Sequence, residues 1–297
     1  MSLPVVGIVS PGDMGTAIGR VLRDHGLRVL TCLDGRSGLT RLRASEAGLE
    51  EAPGYDNLVT EVDLLLSVVV PAEALSVAKL VAGSLRSTGA RLVYADCNAV
   101  SPQTVGKIAS VIKEAGSLFV DGGIIGPPPS DKGNTRIYCS GPDCSALETL
   151  GGFGLDIRVV GPSAGQASGL KMVYAASTKG TTALWTELLV AAKALGLEEA
   201  LANEFSLSRS DISHVLTDSI PSMPRRSRRW IGEMEEIAAT FAELGLTPLM
   251  LQGAAAMFRF VGETALADQT SRQPDPPLES VLEALAGHLR DGSHADQ

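Results

Sequence analysis

The stretch Gly7-Ile8-Val9-Ser10-Pro11-Gly12-Asp13-Met14-Gly15 decides the fold. It joins an apolar run, residues 4–9, to a helical pattern, residues 14–25, through a short turn. A strand, a tight turn and a helix in that order present backbone N–H groups and a helix N-terminus to a pyrophosphate. Glycine is needed where a side chain would block that approach. Gly12 and Gly15 fall at the second and third glycines of a GxGxxG pattern, whereas the first position is Ser10, so the motif is weak by itself. Its surroundings strengthen it. Runs rich in Val, Ile and Leu recur at residues 28–33, 63–70, 91–95 and 117–120, with helical patterns such as 72–85 and 102–115 between them. Continuous apolar runs mark strands buried on both faces, so the pattern predicts an α/β domain of Rossmann type with a doubly wound sheet. Residues 135–140 and 156–160 are further strand candidates.

Beyond residue 160 the strand patterns cease, and helical ones follow at 164–195, 198–205, 208–218, 228–244 and 248–267. Alternating elements followed by a run of helices imply two domains. Residues 1–162 are expected to bind a nucleotide. Residues 163–267 form an all-α substrate and dimerisation domain, and 268–297 comprise a linker, a terminal helix at 278–290 and a tail. The helix over 164–195 carries Leu170, Val173, Leu184, Trp185, Leu188 and Leu189 on more than one face. A helix apolar on several faces must be buried, which predicts a homodimer through the helical half.

Of the 297 residues 44% are hydrophobic, and the formal net charge is −9. That charge argues against a nucleic-acid partner, which needs a basic face, and favours a small-molecule substrate. Cys32, Cys97, Cys139 and Cys144 have no CxxC spacing and are expected to be reduced, which points to the cytoplasm. The pattern of a secretory leader is not expected, nor is a membrane-spanning run. His25, His214, His288 and His294 lack helical metal-ligand spacing, so no metal is expected.

The turn residues Ser10, Pro11, Gly12, Asp13, Met14 and Gly15 are the candidate pyrophosphate site. Coenzyme choice falls to Leu33-Asp34-Gly35-Arg36-Ser37. Asp34 suits the ribose 2′-OH of NAD, whereas Arg36, Ser37 and Arg41 suit the 2′-phosphate of NADP. NADP is favoured because Gly35 lets the chain turn Arg36 toward the ribose; NAD stays open, and both arginines would also suit a solvated loop and helix. Ligands lie outside the carboxyl ends of strands in such sheets, which brings forward Val69, Val70, Pro71 and Asn98 for the nicotinamide side. Asn98 would alternatively cap the next helix, a role for which Ser101 is better placed. Lys171, flanked by Leu170, Met172 and Val173, would lose solvation near a helix start, and desolvation lowers a lysine pKa toward a useful range. The same residue would also suit a snorkelling surface position. Lys179 is a reserve candidate, and the arginines of residues 224–230 suit either an anion or a solvated face.

Taken together, GIVSPGDMG at 7–15, DGRS at 34–37, VVVPAEA at 68–74, DCNAVSPQT at 96–104, DGGIIGPPP at 121–129 and LKMVYA at 170–175 resemble the β-hydroxyacid dehydrogenase and 6-phosphogluconate dehydrogenase superfamily. The similarity is greatest to a branch with a distinct C-terminal helical domain, and it extends nearly to Gly262. The resemblance implies reversible NAD(P)-linked oxidation of a hydroxyl group near a carboxylate, with Lys171 as general acid/base. It implies that the loop Gly122–Gly126 receives the substrate carboxylate, through Gly123, Ile124, Ile125 and Gly126. Two departures stand out. The family's Ser-Gly-Gly reads Ile125-Gly126-Pro127, where proline removes a donor. The asparagine one turn after the lysine is Ala175, leaving Tyr174, which stands where the sugar-phosphate branch has histidine, to supply the lost hydrogen bond. Glu233 falls near an acid of the family's inward-facing helix, with Trp230 and Arg229 beside it. Imine reduction and oxidative decarboxylation are alternative reactions, although retention of Lys171 speaks for carbonyl chemistry. A nonenzymatic NADP-binding sensor is the alternative outside catalysis.

Overall fold

The computed structural model describes residues 3–9, 11–129, 135–212, 215–270 and 273–292. Ser10, His214 and His294 lie outside the described residues, as does the tail beyond residue 292. The chain divides into two compact units, Met1–Met172 and Val173–Gln297.

The first unit alternates strands and helices: β1 (Val6–Val9), α1 (Asp13–Asp24), β2 (Val29–Cys32), α2 (Gly38–Glu46), β3 (Glu50–Ala52), α3 (Tyr55–Glu61), β4 (Leu64–Ser67), α4 (Ala74–Thr88), β5 (Val93–Asp96), α5 (Pro102–Glu114), β6 (Leu118–Ile125), β7 (Arg136–Ser140), α6 (Ser145–Glu148) and β8 (Asp156–Gly161). The eight strands form one sheet in the order β3-β2-β1-β4-β5-β6-β7-β8. Pairing is parallel from β3 to β6, β7 runs antiparallel to β6, and β8 is parallel to β7. Successive side chains on a strand point to opposite faces, and both faces are covered. Ile8, Leu64 and Leu66 enter one core with Ile18 and Leu22 of α1. Val9 and Leu65 enter the other with Leu58, Val81, Tyr94 and Ile108. From β1 the chain passes first to β2 and β3 on one side, then back to β4 on the other. That reversal leaves a crevice at the carboxyl ends of β1 and β4, where open α/β sheets bind ligands.

Helix α7 (Gln166–Ala175) crosses the division between the units. The division falls later than the last strand, where the sequence pattern put it, because the first turn of α7 is hydrogen-bonded to β6 and β7. The second unit contains α8 (Thr181–Ala194), α9 (Glu198–Ser208), the short α10 (Ile220–Ser222), α11 (Ser227–Glu243), α12 (Leu249–Gly262) and α13 (Leu278–Gly292). The helix expected over 164–195 is interrupted by a π-helical turn at Ala176–Gly180. There the hydroxyls of Ser177 and Thr178 bond back to the Tyr174 carbonyl, a substitution that loosens the ordinary i to i−4 ladder. Residues 208–218 break into a 3₁₀ turn, Ser210–Ile212, and a π turn, Val215–Ser219, where one helix was expected. Among the described residues no helix is long and apolar enough to cross a membrane.

Candidate active site

Gly12 stands at the N-cap of α1 with no side-chain cap, so no side chain of the cap residue occupies the first-turn amides. A Cβ added to Gly12 would meet no atom within 4 Å, so the absent side chain leaves space in front of the helix. Gly15 serves packing instead: its Cβ would lie 3.2 Å from Ile8 Cγ2, which is how closely α1 sits on β1. The Thr16 hydroxyl donates to the Pro11 carbonyl at 3.0 Å and fixes the turn. Asp13 pairs with Arg43 of α2 at 2.7 Å, and Met14 packs against the core.

After β2, Gly35 adopts φ +69 and the Arg36 N–H donates to the Leu33 carbonyl at 3.1 Å, closing the turn that aims Arg36. The Arg36 guanidinium lies beside Tyr55, where it opposes the rise that burial imposes on the phenol pKa. Its Nε is buried without a hydrogen-bond partner in the protein. Ser37 caps α2, its hydroxyl accepting from the Thr40 N–H at 3.3 Å. Arg41 is otherwise engaged, donating to the Leu33 carbonyl at 2.7 Å and pairing with Glu51 at 2.8 Å. Asp34 is exposed near Gly54.

Asn98 laces two strand ends together. Its Oδ1 accepts from the Val69 N–H at 2.6 Å, and its Nδ2 donates to Ser67 Oγ at 3.0 Å and Asp96 Oδ2 at 3.1 Å. The side chain therefore faces inward and shapes the segment Val69–Pro71, which leaves Val70 open to solvent. Ser101 caps α5. Asp96 is fully buried, and burial pushes its carboxyl pKa up to about 7 against the pull of the Asn98 donors; Asp121 adds to the rise and the Lys171 charge opposes it. The Lys171 ammonium is thus electrostatically coupled to a buried carboxyl group at the strand ends.

Lys171 is half-buried on α7. The segment expected as a carboxylate-receiving loop is largely strand: Gly123, Ile124 and Ile125 are buried in β6 and paired with β7, and only Gly126, at φ +121, turns away. A Cβ on Gly123 would come 2.7 Å from the Ala167 carbonyl oxygen and 3.4 Å from Lys171 Cβ, so this glycine lets α7 lie directly on the strand. Gly122 likewise admits Cys97, whose Sγ would be 2.7 Å from an added Cβ. Tyr174 is half-exposed. In the second unit Trp230, 8% exposed, packs edge-on against Phe258 with the charged ends of Lys179 and Arg226 near its ring. Glu233 is hydrogen-bonded to Lys179 and lies 3.4 Å from Arg229. The sequence reading missed Asp96 and Asp121 as site residues, along with Ser140 and Ser168. Only Asp121 carried a signal, a carboxylate followed by two glycines inside an apolar run, which marks a close approach to β6 rather than a helix cap. Among the described residues no cluster of His, Cys, Asp and Glu could hold a metal.

A glycine turn at the switch point of a doubly wound sheet, joined to a helical unit, defines a dinucleotide-binding protein. Residues 5–150 match the NAD binding domain of 6-phosphogluconate dehydrogenase, and residues 192–261 match a domain of unknown function, DUF1932. An uncharacterized 28.5 kDa protein of Methanothermus fervidus is 31% identical over 259 residues, which cover 87% of this chain and 99% of that one. The conserved protein MTH1747, of unknown function and described as structurally similar to 3-hydroxyacid dehydrogenases, is 32% identical. It aligns with a TM-score of 0.69 over 86% of this chain and 96% of its own. The 3-hydroxyisobutyrate dehydrogenase of Mycobacterium tuberculosis, solved with L-serine, shares the fold at a TM-score of 0.71 and 16% identity, over 96% of this chain and 99% of its own. The chain belongs to the family that joins a 6-phosphogluconate dehydrogenase-type NAD-binding domain to this C-terminal domain.

Proposed function

We propose that the chain is an NADP-dependent oxidoreductase that interconverts a hydroxyl and a carbonyl group near a carboxylate on a small substrate, with Lys171 as the general acid/base. The observation that carries this reading is the placement of a half-buried Lys171, coupled to buried Asp96, in the same compact unit as the nucleotide cradle. The residues present fit the coenzyme. Gly12 leaves the space a pyrophosphate needs, and the orphaned Arg36 Nε has a donor to offer a 2′-phosphate beside the capped N-terminus of α2. When bound, the nicotinamide would supply the two-electron chemistry. Lys171 Nζ gives a proton to the carbonyl oxygen on reduction and takes it back from the hydroxyl on oxidation. Tyr174 is assigned as a second hydrogen-bonding residue at the same helix. The four cysteines, buried and free, are in keeping with the cytoplasm.

The purified protein is expected to consume NADPH with at least one member of a panel of keto acids, aldehydes and imines. Tight NADPH binding without turnover on any of them would favour the sensor instead. For coenzyme choice, Arg36→Ala is expected to weaken NADP(H) about 10- to 100-fold, the worth of a charged hydrogen bond, and NAD(H) little. Tighter binding of NAD(H) than NADP(H) by the parent protein would overturn the assignment.

We further propose a homodimer through the helical unit. Val173 and Leu184 are each 55% exposed, Tyr174 and Leu188 are also open, and α9 buries none of its residues, so one copy leaves apolar helical surface uncovered. Light scattering at micromolar concentration is expected to give twice the chain mass. A species of 30.9 kDa throughout would refute it.

A further inference from the structure

Helix α7 begins without a cap of its own. The Gly165 carbonyl accepts the first helical bond, from the Gly169 N–H at 2.8 Å, which puts a residue with no side chain at the N-cap. Buried amides at a helix start still need partners. They find them in the sheet. Asp121 Oδ2 accepts from the Gly165 N–H at 2.8 Å, the Ser168 N–H at 3.0 Å and the Ser140 hydroxyl at 2.9 Å, while Oδ1 accepts from the Ser168 hydroxyl at 2.5 Å. Ser140 Oγ in turn accepts from the Ala167 N–H at 3.0 Å. Asp121 and Ser140 face each other across the β6–β7 pair, and both are fully buried with Ser168. A carboxylate at this end of a helix also meets the positive end of its dipole.

The consequences reach Lys171. It follows Ser168 by one helical turn, so the two share a helix face. Gly123 follows Asp121 by two positions on β6 and therefore points to the same side of the strand, where it touches Ala167 and the base of Lys171. Gly123 sets how close α7 comes to the strand; Asp121, by gripping the amides at positions 165 and 168, sets how the helix is turned and how far along its axis it sits.

We infer that Asp121 is a positioning residue: its carboxylate supplies, from the sheet, the cap that α7 lacks, and so fixes the direction in which Lys171 projects. This rests on the reading of Lys171 as the proton carrier. Asp121 is fully buried and spends its oxygens on four bonds within the protein, so it does not touch substrate.

The test uses the full chain and compares Asp121→Asn with Lys171→Ala. Asparagine keeps the shape and one acceptor oxygen but cannot accept all four bonds. Asp121→Asn is expected to lower kcat about 10- to 100-fold, with KM and NADPH affinity little changed, and to speed hydrogen exchange at the Gly165 and Ser168 amides about as much. Acylation of Lys171 by acetic anhydride, followed by mass spectrometry across pH, reads the amine without any substrate and is expected to change in rate and pH profile. If Lys171→Ala is inactive while Asp121→Asn keeps the parent kcat, amide exchange and acylation profile, the inference about Asp121 falls and the role of Lys171 stands. If Lys171→Ala is active, the proton-carrier reading falls, and the clamp is judged on exchange and acylation alone, where parent-like values overturn it. Should Asp121→Asn not fold, Ser140→Ala removes the Ala167 partner and one bond to Asp121. It is expected to move the same readouts in the same direction by less, and parent-like values would again overturn the inference.

Discussion

The protein is expected to lose stability as pH rises from about 4 to about 7, by on the order of 4 kcal/mol, and Asp96→Asn is expected to remove most of that slope. The Asp96 carboxyl is fully buried, and burial raises its pKa from 3.8 to about 7 in the folded chain. A group whose folded pKa lies above its unfolded value holds a proton that the unfolded chain gives up. Its contribution is therefore complete below 3.8, declines as pH climbs, and is gone above about 7. Carboxylates held low, such as Asp143 beside Ser145 and Asp156 beside Arg158, act in the opposite sense and below this window, because their contribution is lost as pH falls. Denaturant unfolding at several pH values, on parent and variant, isolates the Asp96 part. Equal slopes in the two proteins would show that Asp96 is ionised in the folded state throughout.

Much of the first unit was legible because its central strands are buried on both faces, which favours a largely apolar run at each of β1, β2 and β4, with only Thr31 and Ser67 as buried polar exceptions. The strand β3 was not, since Glu50-Glu51-Ala52 lies at an edge, where charged side chains reach solvent and pair with Arg28 and Arg41. The carboxyl half of β6 was hidden for a different reason. Gly122 and Gly123 look like loop residues, yet they are glycines because Cys97 and the Ala167 carbonyl occupy the places of their side chains. In the site, Gly12 and Gly15 were visible because their roles are local to one turn. Asp121 was not, because a cap delivered to Gly165 from 44 residues away leaves no short-range spacing to detect. Asn98 was visible as a polar residue at a strand end, but its inward partners Ser67, Val69 and Asp96 depend on how β4 and β5 pair. The π turn after α7 was not visible, because Ala176-Ser177-Thr178-Lys179-Gly180 is a short polar stretch between two apolar helical ones, and the bonds of Ser177 and Thr178 back to the Tyr174 carbonyl leave no distinct spacing.

Lys171→Ala is expected to lower turnover about 100- to 10,000-fold, the usual cost of removing a general acid/base, while binding NADPH as the parent does. The two effects separate because the proposed coenzyme residues Gly12 and Arg36 belong to the start of α1 and the turn after β2, neither of which includes Lys171. Removing the amine also removes the positive charge that holds the Asp96 pKa down, so that carboxyl is expected to titrate higher still in the variant. Whether Lys171 moves the proton is read from the rate of NADPH consumption in the parent and in Lys171→Ala, at saturating NADPH and across pH, with the best substrate from the panel. If Lys171 is the proton carrier, kcat falls by at least about 100-fold in the variant and one ionisation disappears from the pH profile. A variant that turns over within about tenfold of the parent, with the same pH profile, would contradict it.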